Sequence, residues 1–232
     1  MSKNKLKKFE EVAGMNHVLQ PEFDEIFNKS YKLKGKWAGS FFKNNNPVVL
    51  ELGCGKGEYT VGLAQKYPEK NFIGVDIKGA RIWKGAKQSL ELGLKNVGFI
   101  RTRIELIESF FAQAEVNEIW LTFPDPQLKK ARNKKRLSGP GFLNKYRSFL
   151  IDNGLIHLKT DNTVLYEYTH QIAHHNKLPI EISTPDLYGS GIVDDILSIQ
   201  TFYEAQYREQ GMKINYLRFK LPNDKHIEGL PE

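Results

Sequence analysis

The fold is decided by the stretch Val48-Val49-Leu50-Glu51-Leu52-Gly53-Cys54-Gly55-Lys56-Gly57, in a chain of 232 residues. Its apolar first half predicts a short buried strand, and its three alternate glycines predict a tight turn. The residues from 58 to 67 then suit a helix. Glycines lack a Cβ atom, so they let the backbone approach a ligand closely and adopt positive φ. The stretch therefore predicts a ligand-binding turn between a strand and a helix.

The same alternation continues toward the C-terminus. Strands are predicted at 47–51, 71–76, 97–100, 118–123, 154–158, 180–183 and 214–221. Helices are predicted at 58–67, 80–92, 104–111, 142–151, 162–175 and 196–209. This order predicts an α/β fold with a mostly parallel sheet covered by helices on both faces. Ligands bind such sheets at the carboxyl ends of the strands, so the residues that follow each strand are the ones to inspect.

Composition and charge bound the remaining possibilities. Residues 1–46 are polar and irregular, and we interpret them as a basic arm or helical extension before a domain at 47–232. Lysines cluster at its start, at Lys3, Lys5, Lys7 and Lys8. The sequence has no apolar run long enough for a membrane helix, and we expect no secretory signal because no apolar stretch follows the basic start. With one cysteine, no intrachain disulfide is possible, so we expect a cytoplasmic protein. We also expect a monomer or a homodimer.

Asp76 ends the second predicted strand and is placed to accept hydrogen bonds from both hydroxyls of a ribose. Two cofactors use this layout, NAD and S-adenosylmethionine. The dinucleotide fingerprint requires glycine at position 58, where Glu58 would repel a pyrophosphate. S-adenosylmethionine has no phosphate, and Glu51 suits its cationic end. The residues favour S-adenosylmethionine and leave NAD as the alternative. Cys54 is interpreted as a small loop residue rather than a nucleophile.

Phe123-Pro124-Asp125-Pro126 follows the fourth predicted strand. The two prolines restrict the backbone and hold the Asp125 carboxylate in a fixed direction. A carboxylate matches the N1–H and N2–H donors of guanine. Guanine N7 is unprotonated at neutral pH, so its methylation needs alignment rather than a general base. Methylation makes the ring cationic, and a nearby carboxylate stabilises that charge.

A dense cationic run begins just after this motif. The formal net charge of the chain is +7. The run comprises Lys129, Lys130, Arg132, Lys134, Lys135 and Arg136. A solvated charged loop is the ordinary explanation of such a run. Beside a methyl-transfer site, it instead favours a substrate whose phosphates pass over the site, such as RNA.

These motifs together resemble those of the bacterial tRNA (guanine-N7)-methyltransferases. The resemblance runs from about Val48 to Lys220. Its motifs are the glycine stretch from Glu51, Phe123-Pro124-Asp125-Pro126 with the cationic run, Lys159-Thr160-Asp161, and Thr201-Phe202-Tyr203-Glu204. The resemblance implies a seven-stranded, Rossmann-like methyltransferase fold that methylates a guanosine in the tRNA variable loop.

The resemblance also implies roles for individual residues. The catalytic candidate is Asp125. The implied cofactor-binding residues are Glu51, Gly53, Gly55, Gly57, Asp76, Arg103 and Asp125. The implied substrate-binding residues are Lys129, Asp161, Thr201, Tyr203 and Glu204. Unaided spacing indicates only a polar helix face for the last three.

The chain departs from the family pattern at a few positions. Gln127-Leu128 stands where many members have Trp-Pro, and Asp76 stands where many have Glu. Arg103 occupies the position that normally approaches the adenine amino group. Arginine cannot accept a hydrogen bond, so we expect contact there through the backbone.

Three rival functions stay open at this point. They are a methyltransferase with another RNA or small-molecule acceptor, a non-catalytic RNA-binding protein of the same fold, and an NAD enzyme. His174-His175 has no other clustered ligands, so we expect no metal site.

Overall fold

Strands and helices alternate through the chain as the sequence predicts. The structure is a computed structural model that describes residues 3–231. For residues 3–6 only the backbone is described, so the side chains of Lys3 and Lys5 lie outside the described part of the chain. The strands are β1 Val18–Leu19, β2 Val48–Leu52, β3 Asn71–Asp76, β4 Val97–Arg101, β5 Val116–Thr122, β6 Leu150–Thr160, β7 Ile180–Thr184 and β8 Asn215–Leu221. The helices are α1 Lys3–Ala13, α2 Phe23–Ile26, α3 Glu58–Lys66, α4 Gly79–Glu91, α5 Pro140–Tyr146, α6 Thr163–His175 and α7 Phe202–Glu209. The chain folds as two compact units that divide after Ala112.

The first unit contains four parallel strands in the order β1-β4-β3-β2. Leu50 lies opposite Ile73, and Ile73 opposite Gly98. Every residue of β2 and β3 is buried. Near-continuous burial is typical of parallel strands whose two faces are both covered. In this unit α3 packs against β3, and α4 packs against β3 and β4.

The N-terminal segment contributes its own elements to this unit. The two residues of β1 pair with β4 and give eight strands in the described residues, against seven predicted. The segment also forms a π-helix at Trp37–Phe42. Trp37 is fully buried and donates its indole N–H to the Phe110 carbonyl at 2.7 Å. On α4, the Trp83 indole donates to the Glu11 carboxylate at 2.6 Å.

The second unit orders its strands β5-β6-β8-β7. β5 and β6 are parallel, whereas β8 runs antiparallel to both of its neighbours. The core includes a polar stack, in which Trp120 lies on His157 with ring centroids 3.8 Å apart. The Nδ1 atom of His157 lies 2.7 Å from the Tyr216 hydroxyl. Parallel pairing throughout the first unit and between β5 and β6 confirms the predicted α/β class with a mostly parallel sheet.

Three predicted helices are wrong in their bounds or type. The helix predicted at 196–209 begins only at Phe202, because the Thr201 side chain caps it by accepting from the Glu204 N–H. The helix predicted at 142–151 ends at Tyr146, because Leu150 already pairs with Val116 at the start of β6. The residues predicted as a helix at 104–111 form a 3-10 helix, Ile104–Ser109.

Candidate active site

The glycine turn has the backbone conformation that its sequence predicts. Gly53, Gly55 and Gly57 have φ of 82°, 56° and 71°, a region that side chains with a Cβ rarely adopt. At Gly57 an added Cβ would also lie 2.8 Å from the Phe99 ring. Glycine is therefore required at position 57 both by conformation and by the close approach of β4.

Glu51 is buried behind this turn rather than displayed on it. Its side chain is 2% exposed. Oε2 accepts a hydrogen bond from the Thr60 N–H at 2.8 Å and another from the Thr60 hydroxyl. The first N–H groups of a helix have no partner within the helix, so Glu51 satisfies one of them in α3. The carboxylate thereby fixes the end of β2 to the first turn of α3.

Asp76 ends β3 beside the same turn. Its Oδ2 accepts from the Gly55 N–H at 2.9 Å, and its Oδ1 accepts from the Lys78 N–H at 2.7 Å. Each oxygen of an ionised carboxylate has about two acceptor sites, so both keep acceptor capacity toward a ligand. Asp76 is 8% exposed, so its direction is well restrained.

Cys54 is not a nucleophile in this setting. Burial raises the pKa of the Cys54 thiol well above its ordinary value, and the nearby carboxylates of Glu51 and Asp76 raise it further. The thiolate is the reactive form of cysteine, so a raised pKa keeps the thiol inert near neutral pH. This agrees with its interpretation as a small loop residue.

A cavity of about 230 Å³ lies where β3 and β4 end. It is lined by Gln20, Pro21, Glu22, Phe23, Ile26, Ile77, Arg101, Thr102, Arg103 and Leu106. The Thr102 hydroxyl is buried and has no hydrogen-bond partner. Arg103 lies on the cavity with its side chain exposed. A mixed apolar and polar lining next to Asp76 fits a purine attached to a ribose.

The start of α3 carries a negative group, as the sequence predicts. Glu58 is the first residue of the helix, and its carboxylate pairs with the Lys84 ammonium at 2.8 Å. A carboxylate there disfavours a pyrophosphate, which normally binds the N-terminus of this helix. Because Lys84 offsets part of this charge, a dinucleotide is disfavoured mainly by Glu58 standing where the fingerprint requires glycine.

Asp125 lies in the second unit, exposed within the sharp loop that follows β5. The flanking residues Phe123 and Gln127 have φ of 49° and 48°, which is unusual for residues other than glycine. Asp125 Oδ1 accepts a hydrogen bond from the Gln127 N–H at 3.0 Å. This bond and the loop backbone set the direction of the second carboxylate oxygen, Oδ2. The loop thus presents one carboxylate to solvent in a restrained backbone.

The cationic run forms a 3-10 helix, Lys130–Lys135, with Lys129 as its N-terminal cap. The side chains of Lys129, Lys130, Arg132, Lys134 and Lys135 are exposed, whereas Arg136 is buried. Four exposed cations on this short helix and a fifth at its cap suit contact with a polyanion.

The ends of β5 and β6 meet α7 in the same unit. The ring centroids of Phe123 and Tyr207 are 6.1 Å apart. Burial raises the pKa of the Tyr207 hydroxyl, and the neighbouring Asp161 and Tyr203 raise it further. Burial also raises the pKa of the Asp161 carboxyl. The structure therefore places Asp161 and Tyr203 close to Tyr207, whose ring faces Phe123 in the loop that carries Asp125.

The other two predicted substrate residues have structural contacts. Thr201 caps α7 through its hydroxyl, which accepts from the Glu204 N–H at 3.1 Å. Glu204 is fully buried, and its Oε1 lies 2.8 Å from the Lys159 ammonium. Glu204 Oε2 is buried without a hydrogen-bond partner. In this arrangement Tyr203 is exposed while Glu204 points into the protein.

Sequence reasoning missed the residues that hold this group in place. In the sequence, Lys159 is noted only as part of a motif. A lysine that directly follows the apolar residues of β6 could have indicated a buried charge that needs a partner. Tyr188 and Arg208 carry no signal, yet the Arg208 guanidinium lies 3.6 Å from the Tyr188 ring centroid. Contacts of this kind depend on the tertiary fold, so local sequence patterns do not predict them.

Comparison with known proteins identifies the family. A family model described as "Putative methyltransferase" matches residues 45–217. The tRNA (guanine-N(7)-)-methyltransferase of Bacteroides fragilis is 54% identical, over 98% of this chain and 89% of the relative. That of Bacteroides thetaiotaomicron is also 54% identical, over 97% and 88%. The chain belongs to the tRNA (guanine-N(7)-)-methyltransferase family.

A solved structure supports the same fold for the family. The 16S rRNA (adenine(1408)-N(1))-methyltransferase of Catenulisporales acidiphilia, crystallised as a variant with cosubstrate SAM, is similar with a TM-score of 0.55. It is 12% identical, over 82% of this chain and 92% of that chain. At this identity the likeness extends to the fold alone, which is that of a methyltransferase.

Two other features of the described residues bear on function. Between residues 3 and 231, no helix combines the length and apolarity that a membrane span needs. Within the same residues, no three His, Cys, Asp or Glu side chains cluster as metal ligands.

Proposed function

We propose that this chain transfers a methyl group from S-adenosylmethionine to N7 of a guanosine in the variable loop of tRNA. One observation carries the proposal within this family. The exposed Asp125 carboxylate, held between two prolines, is followed directly by an exposed cationic helix. A single cysteine and a tRNA substrate also suit the reducing cytoplasm as the place of action.

The first unit supports the cofactor. When bound, S-adenosylmethionine supplies an electrophilic methyl group. Asp76 keeps acceptor capacity for the ribose hydroxyls, and the cavity beyond Ile77 has room for the purine. The Thr102 hydroxyl, buried without a partner, is available to a ring nitrogen. Glu51 acts through the turn, because its carboxylate already holds Thr60.

The second unit supports a guanine acceptor. Asp125 offers an exposed carboxylate oxygen to the N1–H and N2–H donors of the base, which aligns N7. No general base is needed, since N7 carries a free lone pair at neutral pH. As N7 becomes alkylated the ring turns cationic, and the same carboxylate stabilises the developing charge. We assign Asp125 as the catalytic residue on this basis.

The remaining predicted residues suit the RNA around the base. Lys129 stands at the start of the cationic helix, where an exposed ammonium can contact a phosphate. Asp161 and the exposed Tyr203 both lie near Tyr207, and Thr201 caps the helix that carries Tyr203. A tyrosine ring of this kind can stack on an unpaired base of a loop. Glu204 contributes by holding that helix from within.

The test is methyl transfer from labelled S-adenosylmethionine to unmodified tRNA, followed by mapping of N7-methylguanosine through chemical strand cleavage. We expect label in tRNA and cleavage in the variable loop. Label at another base would reject the assigned acceptor while retaining a methyltransferase. Binding of S-adenosylmethionine and tRNA without transfer would favour a non-catalytic RNA-binding protein.

A further inference from the structure

Arg136 differs from the other cations of its run. Its residue is 6% exposed, whereas Arg132, Lys134 and Lys135 are exposed to solvent. Charged side chains are rarely buried unless they are engaged by partners. The partners of Arg136 therefore indicate its function.

Arg136 has contacts with the loop, with α6 and with its own helix. Its Nε donates to the Pro126 carbonyl at 3.1 Å, and its guanidinium carbon lies 4.2 Å from the centroid of the Tyr168 ring on α6. Its own backbone N–H donates to the Asn133 carbonyl at 3.1 Å. Arg136 thus connects the end of the cationic helix, the loop after β5, and the face of α6.

The loop that Arg136 contacts is strained. Phe123 and Gln127 bracket Asp125, and both occupy the left-handed region of φ. Such conformations persist only where surrounding contacts determine them. Within the loop, the Gln127 N–H bonds the Asp125 carboxylate at 3.0 Å, so the direction of this carboxylate depends on the local backbone. Pro126, whose carbonyl accepts the hydrogen bond from Arg136, stands between Asp125 and Gln127 in the sequence.

We propose that Arg136 is a positioning residue, which holds the loop of Asp125 in its strained conformation and connects it to the cationic helix. The inference rests on the proposed function, because it assigns a role in that reaction. Contact of RNA phosphates with the exposed cations of residues 129–135 is thereby transmitted to the backbone that carries Asp125. Arg136 itself is engaged inside the protein and does not contact phosphate.

The first test replaces Arg136 by lysine, which keeps the charge. Lysine cannot both stack a planar group on Tyr168 and donate to Pro126 in the same geometry. We expect Arg136→Lys to lower kcat by roughly 10- to 100-fold, as small misplacements of a catalytic group do. For Arg136→Lys we expect an unchanged KM for tRNA and an unchanged slope of the logarithm of the tRNA binding constant against the logarithm of salt concentration. Arg132→Ala is the comparator, and its slope should flatten by about 0.9 if it contacts one phosphate.

Two outcomes of these kinetic and binding measurements would overturn the proposal. One is an Arg136→Lys enzyme with normal kcat. The other is an Arg136→Ala enzyme whose only defect is a flattened salt slope, since that identifies a phosphate contact. Thermal unfolding of each variant separates loss of positioning from loss of fold.

A second measurement does not depend on activity. Hydrogen exchange of the amides of Asp125, Gln127 and Leu128 is compared in the wild type, Arg136→Lys and Arg132→Lys. We expect faster exchange at the Gln127 amide in Arg136→Lys alone, and unchanged exchange would overturn the inference. If the wild type transfers no methyl group to tRNA, the proposed function fails, whereas this measurement still decides whether Arg136 holds the loop.

Discussion

The Lys159 ammonium lies 2.8 Å from the Glu204 carboxylate, and both side chains are fully buried. The same ammonium donates to the carbonyls of Leu197, at 2.7 Å, and Ile199, at 3.1 Å. Burial lowers the pKa of Lys159, and the Glu204 carboxylate opposes that shift. Tyr188 donates its hydroxyl to Glu204 at 2.7 Å, and burial with this contact raises the pKa of Tyr188 to about 12. The pair therefore fixes the chain before α7 against the end of β6.

Glu204→Gln should destabilise the protein by about 3–5 kcal/mol, because it leaves the Lys159 charge buried without its counter-ion. The free energy of unfolding in urea measures this effect. The double variant Lys159→Met/Glu204→Leu is the control and should recover much of the loss, since apolar pairs often replace buried ion pairs at little cost. A Glu204→Gln protein of wild-type stability would show that the pair is not structural.

Asp125→Asn should lower kcat by roughly 100- to 1,000-fold, as loss of one electrostatic group at a transition state does. Thermal unfolding should stay normal, because the side chain is exposed. Glu69→Gln is a matched control, since it neutralises an exposed carboxylate in the turn before β3. Turnover by Asp125→Asn at the rate of this control would remove Asp125 from the mechanism.

Replacing Lys129 and Lys130 by alanine should weaken tRNA binding and flatten its salt dependence. The log–log slope should fall by about 0.9 for each phosphate that the variant no longer neutralises. Binding is measured at several salt concentrations, with alanine at the exposed Lys32 and Lys95 as a charge-matched control. Equal slopes for the two double variants would place the cationic helix away from the RNA.

Asp76→Asn should weaken binding of S-adenosylmethionine by roughly 10- to 100-fold, the effect of hydrogen bonds to a charged group. The amide retains one oxygen acceptor but loses the charge that receives the ribose hydroxyls. Calorimetric titration of the cofactor measures the dissociation constant. An unchanged constant in a variant with normal thermal unfolding would exclude the ribose role.

His17 should make the protein less stable in mild acid. Burial lowers the pKa of His17 below its ordinary value of 6.5, although its hydrogen bond with the Ala86 carbonyl opposes the shift. The folded state favours the neutral ring. The contribution of His17 to the free energy of unfolding is therefore complete above pH 6.5 and is lost as the pH falls through the lowered pKa. His17→Gln should flatten this part of the profile of unfolding free energy against pH. A profile identical to that of the wild type would assign the acid sensitivity to other groups.

Much of the fold is predictable because its signals are local. The apolar run of β2 and the three alternate glycines define a strand and a turn without reference to distant residues. The positive φ of Gly53, Gly55 and Gly57 confirms the turn. Helix ends are less predictable. The apolar pattern predicts a helix from residue 196, whereas α7 begins after Thr201, whose side chain caps its first turn.

The sequence by itself determined the α/β class, the glycine turn with Asp76, the proline-flanked Asp125 and the family, because residue types at short spacings carry these features. Only the tertiary structure decided which charged residues are buried. Arg136 and Glu204 stand in polar stretches, and nothing nearby in sequence distinguishes them from exposed neighbours such as Arg132 and Tyr203. Burial depends on which distant side chains the fold brings into contact, here Tyr168 and Lys159. Long-range packing therefore decides which polar residues hold the site and which are free to meet a substrate.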